Sequence, residues 1–267
     1  SHQFSGRYFF TDFDQPAVIP KDNVLAASNA GNAVRVQNVS VNHTWTVRPD
    51  LLINSTFGLN RQRGGSLSSA PFSYPDAGVK IASAAQSALK APPELQMSVT
   101  GAFSIGTNHL GDFDRGDFTI RENVTKIFGK HELHLGLEAV RLTNHIINTF
   151  RMDGNFSFNG QLSGDGLSDF MMGRASTFVQ GGGEFKLLKG TRWSAYAQDN
   201  WRINQRLTLN LGVRWDPYFP YYDREGRVVC FQPGAKSKRY PNAPAGMLYG
   251  GDNRDSGCPI GGSDANP

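Results

Sequence analysis

The stretch "RWSAYAQDNWRINQRLTLNLGVRWDPY", residues 192–218, sets the fold class. In its second half Leu207, Leu209, Leu211, Val213 and Trp215 take every other position, with Arg206, Thr208, Asn210, Gly212 and Arg214 between them. Successive side chains of a strand point to opposite faces, so a period of two held over this length predicts a strand with one apolar and one polar face. The first half alternates in the same way, and Asn204-Gln205 is the expected hairpin turn. In a soluble sandwich the apolar face packs on a second sheet; in a transmembrane barrel it meets lipid and the polar face lines the lumen. The hairpin alone fits both.

The same alternation recurs upstream. Residues 2–12 form a first strand; residues 36–47, "VQNVSVNHTWTV", place Val39, Val41, His43, Trp45 and Val47 opposite a row of Asn, Ser and Thr. After the turn "RPD", residues 51–63 place Leu51, Ile53, Ser55, Phe57 and Leu59 on one side. Residues 117–128 and 131–142 meet at Gly129-Lys130. Between these hairpins the connections are long, and one of them holds a predicted helix at 78–90 and a strand-like run at 95–106. Long and short connections therefore alternate, as they do between the extracellular loops and periplasmic turns of an outer-membrane barrel. Strands of eleven to fourteen residues also exceed the usual five or six and suit a tilted membrane crossing.

Composition agrees. Charged residues are 19%, below the usual quarter, while Gly (30) and Phe (18) are abundant, a mixture suited to turns and aromatic anchors. The net charge of +4 is scattered along the chain, which gives no basic patch for nucleic acid. A mean hydropathy of −0.41 and the lack of any apolar run long enough for a membrane helix leave a barrel possible, because barrel strands alternate. Trp45, Trp193, Trp201 and Trp215, with Tyr218, Phe219, Tyr221 and Tyr222, suit aromatic girdles. Asp199 and Glu122 break the apolar pattern, which calls for a bulge or a position near the aqueous rim; in residues 131–150 the apolar phase flips after Ala139, so the upper part is expected to stand above the membrane.

Few residues suggest chemistry. Cys230 and Cys258 are the sole cysteines and lie in the polar tail, where a disulfide would staple an extracellular loop. His131 and His134 face opposite sides of a strand and do not form a metal pair. Asp165 and Asp169 in "SGDGLSD" lack the longer calcium-loop pattern and read as a turn opening a short helix. "QGGGE" is a turn without the helix start of a phosphate cradle, and the Asn-x-Ser/Thr triplets fall mostly inside strands. No nucleophile, base and orienting group assemble, so no enzyme activity, cofactor or metal is expected. Arg7, Asn38, Asn42, Asn54, Asn210 and Arg214 read as the hydrogen-bonded polar wall of a barrel.

Four segments, in order, resemble a known family. "HTWTVRPDLLINSTFGLNR", "GKHELHLGLEA", "FSFNGQLSGDGLSDFMMGRASTFVQ" and "WSAYAQDNWRINQRLTLNLGVRWDPY" are similar to the barrel of TonB-dependent outer-membrane receptors of the Oar-like kind, over most of residues 1–222. The resemblance implies a large plugged barrel in the bacterial outer membrane that imports a scarce carbohydrate, peptide or metal chelate with energy from TonB. No plug, TonB-contacting segment, signal peptide or closing strand is recognised, so the expectation is an internal piece that cannot transport by itself. Residues 1–222 are then partial barrel and 223–267 a truncated extracellular loop. The expected lipid-facing residues are Val39, Val41, Trp45, Ile53, Phe57, Leu207, Leu209, Leu211, Val213 and Trp215. The competing expectation is a soluble secreted β-sandwich, an adhesin or carbohydrate-binding module.

Overall fold

The computed structural model describes residues 1–28, 31–66, 70–82, 93–106, 111–219, 221–223, 229–249 and 252. In chain order the strands are β1 (His2–Gln15), β2 (Asn32–Arg48), β3 (Leu51–Ser66), β4 (Gln96–Val99), β5 (Phe103–Ile105), β6 (Gly111–Phe128), β7 (His131–Asn148), β8 (Asn155–Phe158), β9 (Thr177–Val179), β10 (Glu184–Asn204), β11 (Leu207–Trp215), β12 (Tyr222–Asp223), β13 (Cys230–Phe231) and β14 (Met247–Leu248). A 3₁₀ turn covers Val24–Ser28, and the one helix among the described residues, α1, covers Gly166–Met171.

The long strands form one antiparallel sheet in the order β1-β2-β3-β6-β7-β10-β11, with β12 carrying on along the edge of β10 above the end of β11. Tight turns join β2 to β3, β6 to β7 and β10 to β11 at one rim, where Gly129 supplies a φ of 57°. Every long connection leaves from the other rim. Seven strands that alternate in direction leave β1 and β11 running the same way, so these two edges cannot pair antiparallel with each other. A closed barrel therefore takes an odd number of further strands between them.

Most strands are longer than their sequence patterns: β6 and β7 have 18 residues and β10 has 21. A tilted membrane crossing needs about nine to eleven, so nearly half of each stands clear of the membrane. The phase flip after Ala139 involves no slip, because the β6–β7 and β7–β10 registers run unbroken. What changes is the surroundings: Val140 and Ile146 become buried on the face that is polar lower down.

The loops at the far rim fold together. Strands β5-β4-β8-β9 make a small sheet in which β4 and β8, from different connections, pair in parallel. Ala27, Ala70, Tyr74 and Leu95 form its buried cluster, with Val79, Ile81, Met97 and Phe156 packed against them. Here the run at 95–106 is a hairpin of two short strands and not one strand, since Thr100 to Ala102 turn the chain. Of the helix expected at 78–90, residues 78–82 are non-helical and the rest lies outside the described residues.

Candidate functional site: the two faces of the sheet

The register assigns every side chain of the large sheet to a face. Trp45, Ile53, Val124, Leu135, Ala197 and Val213 lie opposite one another across six strands, and Val41, Phe57, Ile120, Ala139 and Trp193 form a parallel row. All ten residues expected to face lipid are on this side. Its side chains are bare: Leu137 is 65% exposed, Val213 69% and Trp215 63%. Among the described residues no second sheet packs on them, as the sandwich alternative requires, and a soluble monomer rarely leaves so large an apolar patch.

Polar residues, or a glycine, bound this apolar surface at both ends of β6, β7 and β10. On β6 it runs between Lys126 and Gly116, on β7 between His131 and Arg141, and on β10 between Asp199 and Lys189. About ten residues at about 3.3 Å rise and about 40° tilt make a belt about 25 Å tall, the height of an outer-membrane barrel's apolar band. Aromatic rings mark the tight-turn rim, where Phe128, His131 and Trp201 stack at 5.2 and 5.4 Å. Asp199 belongs to this rim, its carboxylate 2.7 Å from His131 Nδ1. At the upper border Arg141 donates to Thr191 at 2.7 Å and to Tyr222 at 2.9 Å. Glu122 is different: the ladders on both its sides are unshifted and it lies in mid-belt, so neither the bulge nor the rim explanation holds for it.

The opposite face is a hydrogen-bonded polar wall. Asn54 accepts from Thr44 at 2.8 Å, and Asn42 accepts from Thr56 at 3.0 Å. Asn38, Asn210 and Arg7 lie on the same side, and the Arg214 guanidinium is held by Asp216 at 2.7 and 2.9 Å. Arg121 pairs with Glu138, which Arg192 approaches at 3.6 Å from the other side. Tyr196 leans across Gly136 on the neighbouring strand and donates to Asn123 at 3.0 Å; a Cβ at Gly136 would come within 2.0 Å of its ring. These groups line a concavity of about 400 Å³ with Ser194 and Arg214. The sequence reading missed this joint, although a glycine inside the alternating run "HLGLE" is its signal.

The remaining candidates are structural. Asp165 caps α1 by accepting from Ser168 N–H at 2.8 Å, and Asp169 accepts from the Ser163 N–H at 2.9 Å. Hydrogen bonds from Ser168 to Asp165, and from Ser163 to Asp169, hold both carboxyls below the usual carboxylate range. His134 is 3.2 Å from the Thr125 hydroxyl and on the other face from His131. Among the described residues no group of three His, Cys, Asp or Glu gathers as a metal site. Cys230 opens β13; Cys258 lies outside the described residues.

A sheet with a bare apolar belt about 25 Å tall, a polar inner wall, tight turns at one rim and folded loops at the other is the wall of an outer-membrane β-barrel. The family comparison agrees: the model of the outer membrane beta barrel domain matches residues 1–266, and the chain belongs to that family. The protein is thus a resident of the bacterial outer membrane. No curated protein and no solved structure matches the chain.

Proposed function

We propose that this chain is part of the barrel of a TonB-dependent receptor, Oar-like in kind, that imports a scarce nutrient. The observation that carries the reading is the ordered similarity of four segments to that family, each of which falls on a structural part with a matching task. Two are tight-turn hairpins of the belt, one opens β7 after its tight turn, and "FSFNGQLSGDGLSDFMMGRASTFVQ" spans β8, α1 and β9 of the loop cap. The belt contacts outer-membrane lipid. The polar wall faces the lumen, and a plug formed elsewhere in the receptor fills it and reaches TonB. The imported ligand is a carbohydrate, a peptide or a metal chelate, held by the folded loops above the lumen. The role is passage and not catalysis, and the chain by itself does not transport.

The test is uptake by cells that produce the whole receptor, with labelled oligosaccharides, peptides and iron chelates offered in turn, with and without TonB. Energy-dependent uptake of one class that stops when TonB is removed supports the reading. Uptake unaffected by TonB and by uncouplers would make the protein a passive pore.

A further inference from the structure

The apolar belt is interrupted at one level. His43, Ser55 and Glu122 lie opposite one another across β2, β3 and β6, between Phe4 on β1 and Leu137 on β7. The rows on either side of them are apolar: Val41, Phe57 and Ile120 above, Trp45, Ile53 and Val124 below. Ser55 Oγ donates to Glu122 Oε1 at 3.0 Å, the carboxyl's sole hydrogen bond among the described residues. His43 shares a 2.9 Å hydrogen bond with His2 and stacks on Phe4 at 4.4 Å. Acyl chains offer nothing to the remaining lone pairs of Glu122 or to the second nitrogen of His43, and an ionisable group set in hydrocarbon marks a site that something other than lipid occupies.

We propose that this polar row is the centre of a contact, within the membrane, between two copies of this protein. The row is self-complementary: a carboxyl at the β6 end, an imidazole that donates in its Nδ1–H form at the β2 end and a hydroxyl between them. A two-fold axis along the membrane normal near Ser55 brings Glu122 of one copy toward His43 of the other and the two Ser55 hydroxyls together, as an isologous interface requires. Val41, Ile53, Ile120 and Val124 on the flanking rows are aliphatic, and the exposed Phe57 and Trp45 beside them add apolar area around the row.

The proposal rests on the belt facing lipid, and the experiment separates the two. The protein assembled in an outer membrane carries Ser55→Cys or Leu211→Cys, with the unsubstituted chain run alongside to account for Cys230 and Cys258. Oxidation with a membrane-permeant copper complex is expected to give a covalent dimer from Ser55→Cys and none from Leu211→Cys. Adding Glu122→Leu is expected to cut the dimer about thirtyfold, the effect of losing two symmetry-related polar pairs, while the folded, heat-modifiable fraction is unchanged or larger. A Ser55→Cys protein that stays monomeric, links to a different protein, or dimerises equally with and without Glu122→Leu would overturn the contact. The belt is tested apart from it: Val213→Cys, opposite Ala197 inside the belt, should react with a lipid-soluble maleimide and resist a water-soluble one, and the reverse would remove the belt and the contact together.

Discussion

Among single residues, the two faces of a strand answer to different rules. Leu211 sits on the belt, 54% exposed and opposite Asp199, with Leu209 and Val213 two residues away on either side. Replacing it with Arg sets a charge level with the Asp199 rim and should cost about 1 kcal/mol or less, whereas Leu135→Arg, inside the belt on the row of Val124 and Ala197, should cost about 2–4 kcal/mol, read as a lower unfolding midpoint in bilayers and a smaller folded band on unheated gels. On the inner wall the decisive residue is one with no side chain. Gly136→Val drives a Cβ into the Tyr196 ring and should destabilise by roughly 1–3 kcal/mol; adding Tyr196→Ala should recover part of that loss, a non-additivity that a double-mutant cycle detects. Neither Gly136 nor Tyr196 declares its role in sequence. Their meeting depends on the β7–β10 register, which puts them directly opposite each other.

Among the elements, the loop cap depends on polar groups buried between connections. The Tyr74 hydroxyl, 3% exposed as a residue, donates to Gln96 O at 2.5 Å and accepts from Gln96 N–H at 2.9 Å. Burial raises its pKa from 10.0 to about 12, opposed by the bond to Gln96 and helped by the nearby Asp153 charge. A folded pKa above the unfolded one means that the stabilisation is whole below about pH 10 and is lost as the pH climbs toward 12. The cap should therefore loosen in that window, by on the order of 2 kcal/mol, with one late-titrating tyrosine in the absorbance near 295 nm. Tyr74→Phe should remove that late step. At the acid end the sign reverses: Asp165 and Asp169, held low by hydrogen bonds, favour the folded α1 corner above the usual carboxylate range and release it as pH falls through their own. Asp165→Ala should cost about 1 kcal/mol of local stability, visible as faster amide exchange at Ser168. The turn and short helix were legible from "SGDGLSD". The parallel pairing of β4 with β8 was not, because nothing local links residues so far apart in the chain.

Taken whole, the molecule is a wall with two edges. β1 and β11 run in the same direction, so closure needs strands beyond the ones that the sheet contains. In the closed barrel the strand that joins β11 runs antiparallel to it from the long-loop rim, and site-directed disulfides placed along β11 and that strand should report the pairing. The tail beyond β12 holds the β13–β14 pair, over which Asp252 accepts from the N–H groups of Lys238, Arg239 and Tyr249 at 2.8 Å each. A disulfide between Cys230 and Cys258 would close this excursion. Alkylation of the unreduced, denatured protein should then find no free thiol, and two after reduction.

The order of residues was enough to read the alternation, and with it the two-faced strands, the sorting of connections by length and which residues share the apolar face. These follow from a local rule, the period of two, that any strand obeys whatever surrounds it. Other features came only from the folded chain: how far the strands rise above the belt, how three connections join into one cap, that Tyr196 lies over Gly136, and that Glu122 stands in mid-belt and not at a rim. Each of those depends on register between distant segments, and register is a property of the pairing and not of either strand alone.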